Sequence, residues 1–294
     1  MHIPVLKKEV IDFLDIKENE NFIDCTFGEG GHTTAILEKN KPEGKVLAID
    51  QDILQIEKAK NQKENYKDRL ILINDNFSNL KKIVEKENFK NISGILLDLG
   101  MSSWHIDESQ KGFSFQKDEI LDMRYNRAQE ISAKEIINSW LESELEKIFK
   151  EYGEEDFSKN IAKKICDIRK EREIKTTFQL VEIIKKSVPN FYQHQKIHFA
   201  TKIFQALRIA TNKELESIQR VLPQALDILN KQGRIVVISF HSLEDKIVKN
   251  FFKEQEKEGK VTVLTEKPVE AEDLEIRENS RARSAKLRAI IKLT

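Results

Sequence analysis

The chain is poor in the residues that mark stapled, secreted or fibrous proteins. Only two cysteines occur among its 294 residues, Cys25 and Cys166, and neither has a CxxC partner. That spacing excludes a disulfide framework and a structural zinc site and suits a reducing compartment. Net charge is also missing, because Lys+Arg and Asp+Glu stand at 50 each. No overall field attracts nucleic acid or membrane, so any RNA contact must come from a local basic patch. No run approaches the roughly eighteen apolar residues of a membrane span, and MHIPVLKKEV lacks the apolar stretch of a signal peptide. A soluble, cytoplasmic protein without membrane contact is expected. Finally, no N-P-P-Y or D-P-P-Y tetrapeptide, which marks many amino-methylating enzymes, appears.

What is present is a core-forming share of apolar residues, 39%, in a strict order. Four short runs, Phe22–Cys25, Val46–Ile49, Leu70–Ile73 and Ile95–Leu99, alternate with helix-like segments, the rhythm of buried parallel strands in a doubly wound sheet. The rhythm stops near Asp107. From Ser132 to about Val188 the period is helical, with capping boxes expected at Ser132/Glu135 and Thr176/Gln179. A long helix carrying Leu215, Ile218, Leu222, Leu226 and Leu229, with Gly233 placed to end it, leads to a fifth strand, Arg234–Phe240. Residues 108–212 therefore read as a mostly helical domain inserted into a doubly wound one made of 1–107 and 213–294. The segment Glu266–Glu278 reads as loop, and Arg281 to Lys292 as predominantly basic, either a phosphate-binding segment or a solvated tail.

The loop Asp24-Cys25-Thr26-Phe27-Gly28-Glu29-Gly30-Gly31-His32-Thr33 follows the first strand and opens a helix, where glycines allow close backbone approach and the helix start offers free N–H groups. Twenty-two residues after Gly28, Asp50 ends the second strand, where a carboxylate can accept from both ribose hydroxyls. Together they imply an adenosine-containing cofactor. Thr33 occupies the third glycine position of the dinucleotide fingerprint, which weakens a pyrophosphate reading. Asp24 suits an ammonium group, and S-adenosylmethionine carries one. Phe77, after the third strand, is either a cover for adenine or a core aromatic.

Two polar turns should share the carboxyl edge of the sheet: Asp98 to His105 after the fourth strand, and Ser239-Phe240-His241-Ser242-Leu243-Glu244-Asp245 after the fifth. Asp98 and Ser102, His241 and Glu244 are candidates to orient a methyl donor or a target amine, although Ser242 with Asp245 can equally cap the next helix. His194 and His198 stand four apart, but Gln195 replaces the zincin glutamate, so no metal is expected there.

Long stretches of the chain resemble the bacterial small-subunit ribosomal RNA cytosine-N4 methyltransferase family (RsmH/MraW). They are His2-Ile3-Pro4-Val5, Asp24 to His32, Leu97 to Ser103, Lys111 to Phe115, Leu121 to Arg124 and Tyr152 to Glu155; and Phe204 to Ile209, Ile238 to Asp245 and Arg281 to Arg288. The resemblance implies a class I methyltransferase fold and transfer of a methyl group from S-adenosylmethionine to N4 of a cytidine in the decoding region of 16S rRNA. It places cofactor contacts on Gly30, Gly31, His32, Asp50, Phe77 and Asp98, with His105 standing where the family usually has Gln. Arg281, Arg283, Lys286 and Arg288 would position RNA phosphates. The chain departs from the family at Met101 for Val, Tyr125-Asn126 for Met-Asp, Phe199 for Pro and Ser280 for Pro. A homodimer is compatible with the sequence. Two other readings share parts of the pattern: a nicotinamide-dependent oxidoreductase and a non-catalytic assembly protein on the same fold.

Overall fold

The computed structural model describes residues 4–294; of the opening motif, His2 and Ile3 lie outside the described residues. Among these, the chain forms two compact units, one of residues 4–100 with 215–294 and one of residues 101–214.

The first unit is built on a sheet of seven strands: β1 (Asn21–Asp24), β2 (Val46–Asp50), β3 (Leu70–Asn74), β4 (Ile92–Asp98), β5 (Arg234–Ser239), β6 (Val261–Val263) and β7 (Lys286–Lys292). Their order in space is β3-β2-β1-β4-β5-β7-β6. Neighbours among β1 to β5 run parallel, and β7 is antiparallel to both β5 and β6. Its parallel part is the doubly wound sheet that the strand rhythm predicts.

The apolar runs are continuous because both faces of the sheet are covered. Ile23, Leu47, Ile95, Leu97, Ile235 and Val237 face one core, which includes Ile218, Leu222 and Leu226 of helix Glu214–Ile228. Their neighbours Phe22, Val46, Leu96, Val236 and Ile238 face the other, with Val10 and Leu14 of helix Lys7–Leu14 and Ile36 and Leu37 of helix Gly31–Lys39. Each such fully buried aliphatic side chain contributes roughly 1.5–3 kcal/mol.

The carboxyl-terminal segment differs from its sequence reading. Lys286–Lys292 is no tail: it is a core strand wedged between β5 and β6, with Leu287, Ala289 and Ile290 fully buried. Within Glu266–Glu278, residues Asp273–Glu278 form a helix. The long helix ends at Ile228, and the turn after it places Gln232, not Gly233, in the left-handed region (φ 64°).

The unit of residues 101–214 has its own core, including Leu121, Ile136, Phe149, Ile165, Leu180, Phe204 and Leu207. Both expected capping boxes form: Ser132 and Glu135 at helix Ala133–Ser139, and Thr176 and Gln179 at helix Thr177–Ser187. Ser102 and His105 belong to this unit.

Candidate active site

At the carboxyl ends of β1, β2 and β4 the first unit gathers Asp24, Asp50 and Asp98. Hydrogen bonds from the loop after β1 tie these ends together. Asp50 Oδ2 accepts from the Gly28 N–H (2.8 Å) and Oδ1 from the Asp52 N–H (2.8 Å). Thr26 Oγ1 accepts from the Asp98 N–H (2.7 Å), and the Thr26 N–H donates to Asp24 Oδ1 (3.0 Å). Thr26 was not singled out by sequence reasoning; its only signal was its place two residues beyond a strand-end aspartate.

Thr33, which breaks the dinucleotide fingerprint, has a positive role here: its hydroxyl donates to Asp24 Oδ2 (2.6 Å). Asp24 is buried, both its oxygens accept hydrogen bonds from the protein, and burial raises its pKa. It thus anchors the loop from within. Asp50 keeps a partly open edge, yet surrounding protein disfavours its charge and pushes its pKa up to about 7, against the pull of the two N–H donors.

The loop turns through Gly30 at φ 78°, just before helix Gly31–Lys39. A Cβ on Gly30 would lie 2.5 Å from Gln62 Oε1 and 2.7 Å from the Phe27 ring. This glycine is therefore demanded by backbone conformation and by the protein's own packing. Gly31 is likewise closed over by Pro4, 2.4 Å from its would-be Cβ.

His32, one residue into the helix, is buried, and its Nε2 lies 3.5 Å from Asp98 Oδ2. Both ring nitrogens of His32 and Oδ1 of Asp98 are buried and lack a hydrogen-bond partner among the described residues. Buried polar atoms left in this state are costly. Their clustering at the strand ends is the property of a site that completes its hydrogen bonds with a polar ligand. Phe77 opens a short 3-10 turn after β3 and packs, half-buried, against the core that contains Leu80 and Ile83.

After β5, Glu244 caps the next helix. It is buried, and its Oε2 accepts from the N–H groups of Phe240 (2.8 Å) and His241 (3.3 Å), closing the start of helix Ser242–Lys257. Glu244 thus supplies a cap through its carboxylate. His241 places Nε2 3.2 Å from Glu244 Oε1. Asp245 receives a forked contact from Arg288 (2.6 and 3.0 Å). Arg288 is buried on β7 and its guanidinium is held inside the fold, which removes it from the basic set read as phosphate contacts. Arg283 is exposed, and Arg281 and Lys286 are half-buried.

In the other unit His105 is buried, with Nδ1 2.9 Å from Ser102 Oγ. Its ring meets Trp104, Phe113 and Tyr125 edge-on at 5.3, 5.2 and 4.8 Å. His105 and Tyr125, two departures from the family pattern, are thus neighbours. Lys111, also buried, donates to the Tyr125 carbonyl (3.2 Å) and lies 5.7 Å from the Trp104 ring centre. His194 and His198 share no helix face, because helix Asn190–Gln193 ends before them.

Residues 1–293 match the model of the MraW methylase family. The chain belongs to that family. It is 44% identical over 307 aligned positions to the ribosomal RNA small subunit methyltransferase H of Clostridium botulinum (strain Loch Maree / Type A3), across 99% of each chain. The protein of that name from Finegoldia magna is 40% identical over 308 positions, 99% of this chain and 98% of its own. A solved structure from Clostridium thermocellum shares the fold, with a TM-score of 0.51 at 15% identity over the whole of both chains. As a member of the MraW methylase family, the chain is a methyltransferase whose sheet order and strand-end carboxylates are those described above. Among the described residues no helix is long and apolar enough to cross a membrane.

Proposed function

We propose that this methyltransferase moves a methyl group from S-adenosylmethionine to the N4 amine of one cytidine in the decoding region of 16S rRNA, in the cytoplasm. The observation that carries the reading is the end-to-end similarity, at 40–44% identity, to proteins named ribosomal RNA small subunit methyltransferase H. The unpartnered polar atoms of His32 and Asp98 at the sheet edge support it.

In this reading Asp50 accepts hydrogen bonds from the ribose of the donor, Phe77 covers the adenine, and the backbone at Gly30 and Gly31 approaches the ligand. The donor supplies an electrophilic methyl on a sulfonium, a good leaving group. The protein's task is then alignment and activation of a poor nucleophile, since the N4 lone pair is delocalised into the cytosine ring. Asp98 Oδ1, buried and without a partner among the described residues, is a ready acceptor for an amine N–H, and such a bond localises the lone pair. The target base must leave its stack to reach the site. His241 is a further candidate contact in the first unit, and Ser102 and His105 are candidates in the unit of residues 101–214. Arg281, Arg283 and Lys286 hold RNA phosphates, and the unit of residues 101–214 is a recognition element for the RNA in its own right.

Calorimetry with S-adenosylmethionine and, separately, NAD tests the donor assignment. Binding of the first alone supports methyl transfer, and binding of the second alone overturns it. Asp98→Ala should lower methyl transfer at least a hundredfold. Unchanged methylation by that variant removes Asp98 from the chemistry, and a wild-type chain that binds the donor but transfers nothing favours the assembly-protein reading.

A further inference from the structure

Between Glu182 and Glu214 no acidic residue occurs, yet the same stretch carries Lys185, Lys186, Lys196, Lys202, Arg208 and Lys213. In a chain whose charges otherwise balance, this is a local cationic segment. Much of it is committed inside the unit: Arg208 is buried beside Glu214, and Lys202 donates to the Glu154 carbonyl. Lys185, Lys186, His194 and Lys196 remain exposed around one short helical turn, Asn190–Gln193.

That turn is fastened on two sides. The Tyr192 hydroxyl donates to the buried Glu155 (2.7 Å), and Gln193 Nε2 donates to the carbonyls of Lys185 (2.9 Å) and Val188 (3.4 Å). Tyr192 packs edge-on against Phe157 at 4.9 Å. With its neighbour held inward, Phe191 is held outward and is 67% exposed. Ile197, four residues beyond the turn, is 59% exposed. Asp156 and, one helical turn before Lys185 and Lys186, Glu182 are exposed acids that flank this surface.

A large aromatic kept in water on a hydrogen-bonded turn, amid lysines, has the chemistry of a stacking platform for an unpaired base. Every base offers a π-face, and cations beside the ring take the flanking phosphates. We infer that Phe191, with Lys185, Lys186 and Lys196, is a docking point for a single-stranded segment of the RNA substrate. The inference rests on the RNA-methyltransferase reading and gives the unit of residues 101–214 a specific contact.

The probe is a fluorescent, unstructured twelve-nucleotide oligoribonucleotide of C and U, titrated with the full chain at several salt concentrations. Phe191→Ala should weaken binding about tenfold or more, the loss of one base stack, while Phe191→Trp restores it. Replacing Lys185, Lys186 and Lys196 by Ala should reduce the slope of log affinity against log salt by about two, as expected for three phosphate contacts to a single strand. Wild-type affinity in Phe191→Ala overturns the inference. So does equal affinity for Phe191→Leu and Phe191→Trp, which marks the patch as an apolar surface for a protein partner. Donor binding by the same variants separates the two levels: if wild type binds no S-adenosylmethionine, the function falls, whereas loss of oligonucleotide effects with donor binding intact overturns only the docking point.

Discussion

Replacing Asp50 by Asn should change the pH dependence of stability in a way the structure quantifies. Burial raises the Asp50 carboxyl to about 7, from an ordinary value near 3.8. The fold therefore binds a proton that the unfolded chain releases, so stability from this group is fully present below about pH 4 and is lost as pH rises through 7. At 1.36 kcal/mol per pH unit the loss is at most about 4 kcal/mol, and less where solvent at the open edge screens the charge. Asn in this place keeps one acceptor but turns its amide toward one of the two N–H donors of Gly28 and Asp52, at a cost of about 1–3 kcal/mol at any pH. Asp50→Asn should thus be less stable than wild type at pH 4, with the gap closing as pH rises through 5 to 6 and reversing by pH 8. Asp24, whose pKa burial also raises, titrates in both proteins and largely cancels in the difference. Urea midpoints at half-unit pH steps, with an unchanged slope against denaturant, read this directly. A gap that stays constant from pH 5 to pH 8 would refute the reasoning.

Three further outcomes follow from the same geometry. Thr33→Val removes the 2.6 Å bond to buried Asp24 and should cost about 1.5–3 kcal/mol, read as a lower urea midpoint near pH 8, where the carboxylate is most charged. Arg288→Ala strands Asp245 beneath β7 and should destabilise by about 3–5 kcal/mol, whereas exposed Arg283→Ala should leave thermal stability within about 0.5 kcal/mol; equal effects would contradict the assignment of Arg288 to the fold. Gly30→Ala meets both a positive φ and contacts under 3 Å, so it should lower the melting temperature by several degrees and weaken donor binding together.

The parallel half of the sheet was readable because strands covered on both faces need unbroken runs of Ile, Leu and Val, as at Val46–Ile49 and Ile235–Ile238. β7 was hidden because Lys286, Arg288 and Lys292 break its apolar pattern. What neutralises Arg288 is Asp245, 43 residues earlier, a pairing visible only in three dimensions. β6 is too short, at three residues, to leave a periodic trace. At the site, strand-end position located Asp24, Asp50 and Asp98, but their roles depend on partners. Asp24 is closed off by Thr33 and Thr26, while Asp98 keeps an oxygen unpartnered. Glu244, a site candidate by its place after β5, also caps the next helix through Oε2, since capping and site chemistry favour the same residue at the same edge.

The most direct test of the central claim is transfer of a labelled methyl group from S-adenosylmethionine to small ribosomal subunits taken from cells lacking this protein, with the modified nucleotide mapped. Label on the N4 of a single decoding-region cytidine is the predicted result. Label on another atom or another RNA, or no transfer by a chain that binds the donor, would contradict it.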